Sequence, residues 1–563
     1  MNTKRIKRYL LVTFLIGVAF LPLGFSNSYF EISKNLDIFA TLYKELNSYY
    51  VDDVEPSKLI REGIDAMLES LDPYTAFISE AEMEGYRLQT TGKYGGIGSL
   101  IRRMGDYVVI AEPYEGYPAD KYGLKAGDKV IEIEGKSAKN KNTQEISKML
   151  KGQAGTQVSV IISRLKADGS EEQMEKVLTR EEIKIKNVPY FGMVNEEVGY
   201  IRLTNFTENA GREVRKAFEE LKQNENLKGI VFDLRGNPGG LLNEAVNVSN
   251  VFIPKGQEIV STKGKIKEWE KLFKTLNPAV DNSMALAVLT NRGSASASEI
   301  VSGSIQDLDR GVIIGQKTFG KGLVQTTRSL TYNTKLKVTT AKYYIPSGRC
   351  IQAINYAERD KDGSVKKLPD SLKVAFETMA GRVVYDGGGI DPDIVLEPTK
   401  LSKISYSLLS KNLIFKYATI YHSKHENIAV ARDFSFSDKD FEEFISFISE
   451  EEYDYTTKSE ELLEDFTEAA QKEKYYDGIK EDLEALKQSV LHDKNKDINK
   501  HQEEIKELLV EEIVGRYYYR AGRVQASFAH DPELQEAVKV LLDDQQYRAL
   551  LVPSEESIID EEK

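Results

Sequence analysis

The hydrophobic pattern changes period several times along the chain. It opens with four cations, Lys4, Arg5, Lys7 and Arg8, followed by an uncharged apolar run over residues 10–25. A basic flank before such a run is the pattern of an export signal, and residues 1–27 are assigned to it. The stretch 21–26 is a poor small-residue cleavage site, which favours retention as a membrane anchor. The positive-inside bias then places the remaining chain outside the cytoplasm. Residues 28–85 carry apolar positions at near-helical spacing. Ile38, Leu42, Leu46 and Tyr50 form one stripe, and Leu59, Ile64, Met67 and Leu71 a second, until Asp72-Pro73 ends it. This predicts a helical pair whose stripes serve as core or as a dimerisation face.

Residues 86–184 read as short strands around glycine turns, with a helix at Thr143–Leu150. Residues 185–399 alternate strand and helix. The run 198–203 is a strand, Ala210–Leu221 a helix, and 229–235 a near-continuous apolar strand of the kind covered on both faces. A helix at 241–252, an apolar run at 284–289, a small-residue turn at 293–298, a helix-like segment, a second apolar run at 312–314 and a β-rich run at 336–344 continue the series. Residues 353–375 are a polar excursion. Residues 400–552 are charged and helical, with stripes at Leu462, Leu463, Phe466, Ala469 and Ala470 and at Ile505, Leu508, Leu509 and Ile513. An acidic tail, 553–563, closes the chain. The fold class is multidomain α/β, and 563 residues are too many for one core.

Composition narrows the chemistry. A net charge of -13 argues against nucleic acid as a partner. Cys350 is the single cysteine, so no intramolecular disulfide forms. The five histidines are His422, His425, His492, His501 and His530. With none in the first 421 residues, a Ser-His-Asp triad cannot be assembled there. Their spacing suggests no metal site, and no cofactor is expected.

Three features then converge. Ser296 precedes a helix and has Glu299 three positions on, the spacing of a capping box, with Ser294 and Ser298 competing for the same role. Lys321 is bracketed by Gly320 and Gly322, with apolar Phe319, Leu323 and Val324 nearby. Asn237-Pro238-Gly239-Gly240 ends a buried strand ahead of a helix, a context that turns backbone N–H groups outward toward an oxyanion. Each has a plainer reading: a cap, a solvated loop, a tight turn. Together, without histidine, they suggest a serine activated by a lysine. A hydroxyl needs a base to become a nucleophile, and lysine serves once burial lowers its pKa.

Two resemblances extend this reading. Pro118-Ala119, Gly123-Leu124 and Gly127-Asp128, with the loop Gly95-Gly96-Ile97-Gly98, resemble a PDZ domain. In that family the glycine loop offers N–H groups to a peptide's C-terminal carboxylate, and the peptide adds as a strand. The blocks 233–240, 294–300 and 318–325 resemble the carboxyl-terminal processing peptidases, or tail-specific proteases, over roughly residues 35–397. The resemblance implies a crotonase-like α/β protease core with an inserted PDZ domain, N-terminal helices and a C-terminal helical extension. It implies Ser296 as nucleophile, Lys321 as general base and Gln325 orienting the lysine. The oxyanion hole would use Ala297 with Gly239 or Gly240, and the peptide-binding loop would be Gly95, Gly96, Ile97 and Gly98. A PDZ arginine would couple to the dyad, with Arg164 and Arg180 as candidates. Substrates are then exported proteins recognised by their C-termini, and an adaptor or a homodimer are the expected partners. The expected location is the periplasm, anchored to the inner membrane. A non-catalytic PDZ scaffold on the same fold is the alternative.

Overall fold

The structure, a computed structural model, describes residues 23–356, 369–453, 455–490 and 494–553. The apolar run at 10–25 lies outside them except for its last three residues, as does the acidic tail beyond residue 553. Among the described residues no helix is long and apolar enough to cross a membrane. The chain forms two compact units, Met1–Ser79 with Gln325–Thr339, and Glu80–Val324 with Thr340–Lys563.

In the smaller unit, helix Leu23–Tyr49 is joined to helix Pro56–Glu69, and the Tyr43 hydroxyl donates to the Pro56 carbonyl at 2.7 Å. Asp72 ends the pattern by capping the next turn, accepting the N–H groups of Tyr74 and Thr75 at 2.8 Å. Strand Ala76–Ile78 then pairs antiparallel with residues 335–337. The expected stripe is helical, but it builds no core among the described residues. Ile38, Leu42 and Tyr50 are each more than half exposed. An amphipathic pattern states that a face favours cover, not which molecule supplies it.

The centre of the larger unit is a six-stranded sheet. Its spatial order is Tyr190–Met193, Val198–Arg202, Gly229–Asp233, Ala285–Thr290, Val312–Gly315, Ile394–Val395. The first pair is antiparallel and the rest are parallel. Side chains alternate between faces with period two. Ile230, Phe232, Leu286 and Val288 pack under helices Ala210–Leu221, Leu242–Phe252 and Ala297–Asp307. Val231, Ala287, Leu289, Val312 and Ile314 point the other way. There they meet Leu534, Ala537, Val540 and Leu541 of helix Pro532–Leu542, together with Tyr547. Both faces are covered, as the apolar strand at 229–235 requires. The second cover comes from the far end of the chain, out of the region the sequence pattern set apart as an extension. Burying each Leu or Val there stabilises by about 1.5–3 kcal/mol.

The PDZ-like module is an antiparallel sheet in the order Ser99–Met104, Tyr107–Pro113, Lys129–Ile133, Gln157–Leu165, Glu171–Thr179. Helix Thr143–Leu150 starts in a capping box of Asn142 and Glu145 and closes the module's core through Ile146. The entering strand Lys93–Gly96 pairs with the leaving strand Glu181–Lys184, so the module is an insertion with its ends together.

In the helical region, Ile505, Leu509 and Ile513 of the long helix Gln502–Ser527 pack on helices Lys403–Ser410, Leu413–Lys424 and Asp438–Ile448. The other expected stripe lies on helix Lys458–Lys472, yet Leu462 and Phe466 stay more than half exposed. The PDZ-like module rests against this region. Arg102 stacks over the Phe415 ring at 4.4 Å, Arg523 pairs with Glu112 at 3.2 Å, and Tyr519 donates to Asp120 at 2.7 Å. Tyr519 has φ 54 and breaks the long helix at that contact.

Candidate active site

Strand Ala285–Thr290 ends in a tight turn that leads into helix Ala297–Asp307. Ser296 sits on that turn with φ 56 and ψ -110, a conformation non-glycine residues rarely adopt. A strained strand-to-helix turn of this kind holds a nucleophile's side chain clear of its own backbone. The backbone separates three serines that spacing could not. The Ser294 hydroxyl donates to the Leu234 carbonyl at 2.8 Å, and Ser298 to the Asn237 carbonyl at 2.9 Å; both side chains are buried. Ser296 alone of the three is partly exposed.

Two groups tie Ser296 to Lys321. The first is Glu299, fully buried on the serine helix. Its Oε2 accepts the N–H of Ser296 at 2.7 Å and the N–H of Lys321 at 2.9 Å. Its Oε1 accepts the N–H of Gly320 at 2.7 Å and the Thr318 hydroxyl at 2.6 Å. The second is Tyr343, whose hydroxyl lies 2.6 Å from the Lys321 carbonyl and 3.1 Å from the Ser296 carbonyl. The two residues are therefore braced on both sides, N–H groups by a carboxylate and carbonyls by a phenol. Burial pushes the Glu299 carboxyl up to about 7, and the four donors pull against that rise. Lys321 is partly buried next to buried Leu323, but Phe319, expected as an apolar neighbour, is half exposed.

The turn after strand Gly229–Asp233 abuts the serine turn. A Cβ on Gly239 would fall 2.6 Å from the Ala295 carbonyl oxygen and 2.8 Å from the Ala297 nitrogen, so only glycine fits. Asn237 binds the two turns together: its carbonyl accepts the N–H of Ala295 at 3.0 Å and the Ser298 hydroxyl. Its side chain accepts the Gly239 N–H at 2.9 Å. Gly239 is thereby occupied. The N–H groups of Gly240 and Ala297 donate to no group among the described residues.

Three family models match the chain: peptidase family S41 over residues 197–359, a PDZ domain over 109–164, and the C-terminal helical domain of a probable PDZ-protease over 404–541. The chain is 37% identical over 324 residues to a carboxy-terminal-processing protease of Bartonella bacilliformis, covering 57% of this chain and 73% of that protein. It belongs to peptidase family S41, among the carboxy-terminal-processing proteases. A probable CtpA-like serine protease of Staphylococcus aureus is 36% identical over 322 residues, 56% of this S41 chain and 63% of that protein's length. Among solved structures, the photosystem II D1 C-terminal processing protease aligns at 27% identity over 64% of this chain and 92% of that chain, with a TM-score of 0.34. The S41 core, PDZ domain and C-terminal helical domain together make the multidomain α/β fold.

The remaining expected site residues divide. In the S41 chain's PDZ domain, the carbonyls of Ile97 and Gly98 are held by the N–H groups of Ala119 and Tyr114 at 2.7 and 2.9 Å. The N–H groups of Ile97 and Gly98 donate to nothing among the described residues, whereas Gly95 and Gly96 are paired in a strand. Neither candidate arginine reaches the serine. Arg164 binds Asp128 at 2.6 Å and the Gly123 carbonyl, and Arg180 binds the carbonyls of Met149, Leu150 and Gln157. Both hold the PDZ domain together internally. Gln325 falls in the smaller unit, where its amide donates to the Thr339 hydroxyl at 3.2 Å. Sequence reasoning missed Thr318 and Tyr343, and it took Glu299 for a cap alone. The spacing of Glu299 from Ser296 was the one available signal.

Proposed function

We propose that this chain is a serine endopeptidase with Ser296 as nucleophile and Lys321 as general base, acting on proteins selected by their C-terminal tails. The observation that carries the reading is the brace: one carboxylate oxygen of Glu299 accepts the N–H groups of both Ser296 and Lys321. Neutral Lys321 takes the Ser296 hydroxyl proton as Oγ attacks the scissile carbonyl. The N–H groups of Ala297 and Gly240 meet the developing oxyanion. Gly240 is preferred to Gly239 because the Gly239 N–H is already bound to Asn237. The lysine then returns the proton to the leaving amine, and water resolves the acyl-enzyme.

The N–H groups of Ile97 and Gly98, which donate to no group among the described residues, support reception of a tail carboxylate at the PDZ loop. The role of Gln325 rests on family resemblance. So do an adaptor or homodimer, the exposed stripe at residues 38–50 fitting the latter. The N-terminal pattern supports an exported, anchored enzyme, and the limits 1–27, 28–85, 86–184, 185–399 and 400–552 are our domain assignment. The test is cleavage of a substrate with a free C-terminal tail. Ser296→Ala and Lys321→Ala each abolish it while circular dichroism stays unchanged. Wild-type turnover in either variant refutes the dyad.

A further inference from the structure

Arg235 is the last residue before the turn that carries Gly240, and its side chain is only 13% exposed. A guanidinium has five N–H donors, and here all five meet carboxylate oxygens. Nε and one terminal nitrogen bind Asp233 at 3.0 and 2.7 Å. Both terminal nitrogens bind Asp531, at 2.9 and 2.6 Å. The fifth donor goes to Glu533. Asp233 lies two residues away on the same strand, but Asp531 and Glu533 stand 296 and 298 residues along the chain, at the start of helix Pro532–Leu542.

The Arg235 cation faces one buried and two part-buried carboxylates, with Arg202 adding a second favourable charge at Asp233, and each acid has further partners. Asp233 also accepts the Tyr200 hydroxyl at 2.5 Å and the Arg235 N–H at 2.8 Å. Asp531 is the N-cap, accepting the Leu534 N–H at 3.0 Å, and both acids lie at the positive end of the helix. Glu533 accepts the Gln316 amide at 2.5 Å. This is a fully hydrogen-bonded fork geometry rather than a solvated surface pair of little consequence.

The geometry matters because the turn has little preference of its own. Gly236, Gly239 and Gly240 all have positive φ, at 69, 96 and 153. A segment this permissive takes its direction from its anchors. Asn237 anchors the middle and Arg235 the entrance. Helix Pro532–Leu542 is fixed in turn by Leu534, Ala537 and Val540, all buried against the sheet.

We propose that Asp531 and Glu533 of the C-terminal helical domain are positioning residues of the protease, aiming the Gly240 N–H at the oxyanion through Arg235. The proposal rests on the active site assigned above. It makes the helical domain a supporting part of the catalytic unit.

The test compares Asp531→Asn, Glu533→Gln and their double variant in the full chain, with Arg235→Lys as a variant that keeps the charge and loses the fork. Three readouts are taken: kcat and KM on a short tailed peptide, affinity for a peptide boronate whose tetrahedral adduct places an oxygen in the oxyanion hole, and binding of a non-cleavable tail peptide. Losing one oxyanion donor outright costs about 10²–10³ in kcat, so a misaimed donor is expected to cost about 10–100-fold. The double variant then loses that factor in kcat and in boronate affinity, while KM and tail binding stay within about twofold of wild type. Glu533→Gln leaves the bidentate Asp531 contact intact and gives a smaller loss of the same kind, which keeps the test open if the double variant unfolds. A fall in activity that only matches the fall in folded fraction, or a normal kcat, overturns the proposal. Turnover surviving in Ser296→Ala would instead overturn the assignment of the site, so the two failures are distinguishable.

Discussion

Replacing Glu299 with glutamine removes a charge at almost constant volume. The wild-type carboxylate faces four donors, two on each oxygen. Glutamine offers one oxygen and one NH₂. If the NH₂ replaces Oε2, the N–H groups of Ser296 and Lys321 both lose their acceptor. If it replaces Oε1, the Gly320 N–H is orphaned, and the Thr318 oxygen already accepts the Ile390 N–H at 2.7 Å. Each buried orphan costs about 1–3 kcal/mol. Against this stands the burial of the charge, which lifts the carboxyl from 4.5 to about 7 and costs the ionised form roughly 3 kcal/mol above pH 7. At pH 8 the two effects nearly cancel, and the variant's stability is expected within about 2 kcal/mol of wild type.

Activity does not share that cancellation. Loosening the shared acceptor of Ser296 and Lys321 misplaces nucleophile and base, and a shift of about 1 Å is worth about 100-fold. The expected result is a kcat lower by about 10–100-fold on a fluorogenic tailed peptide, with KM little changed. The pH dependence has a defined sign. The folded-state pKa is raised, so the native protein holds the extra proton. The stability contributed by Glu299 is therefore full below about 4.5 and is lost as pH rises to about 7. Melting temperatures of wild type should fall relative to Glu299→Gln across that window, while wild-type activity per folded molecule rises as the acceptor ionises. A glutamine variant with wild-type kcat, or a wild type that gains stability relative to it between pH 4.5 and 7, would refute the reasoning.

Three further outcomes follow from the same geometry. Tyr343→Phe removes the hydroxyl shared by the Ser296 and Lys321 carbonyls; we expect a loss of about 1 kcal/mol in chemical denaturation and about a tenfold lower kcat without change in KM. Gly240→Ala places a Cβ 2.4 Å from the Phe206 carbonyl oxygen at φ 153, and should destabilise by at least about 2 kcal/mol in urea melts and depress kcat. Gly127→Ala puts a Cβ 2.4 Å from the Thr419 methyl and should speed hydrogen exchange in helix Leu413–Lys424, whereas Gly135→Ala, at φ 71 with open space around it, controls for backbone strain alone.

The four inner strands of the sheet were readable because they are short and apolar on both faces, and helix Ala210–Leu221 because its stripe holds the 3.6 period to its ends, whereas the edge strands Tyr190–Met193 and Ile394–Val395 lack that double cover and went unread. The candidate site was readable only as three neighbourhoods. Spacing left Ser294, Ser296 and Ser298 level, since the distinction is a backbone dihedral and the fate of two hydroxyls. Tyr343 lay unnoticed in a β-rich run because its contact with Ser296 joins positions 47 residues apart, beyond any periodicity. Asp531 and Glu533 went unremarked, since nothing near them in sequence announces Arg235. Arg164 and Arg180 failed for the opposite reason: an arginine's charge is visible in sequence, but the carbonyls and carboxylates that engage it are not.

The cover on the second face of the central sheet carries a consequence for the order in which the molecule comes into being. A chain made from its N-terminus has its strands, serine turn and lysine loop in hand before helix Pro532–Leu542 exists. Until then Val231, Leu289 and Ile314 lie bare and Arg235 lacks its distant acids. The serine turn and the lysine loop then stand on an unfinished frame. The second face is finished only when a helix about 300 residues beyond Arg235 docks on it, so a chain cut short before Pro532 is expected to leave Val231, Leu289 and Ile314 exposed to solvent.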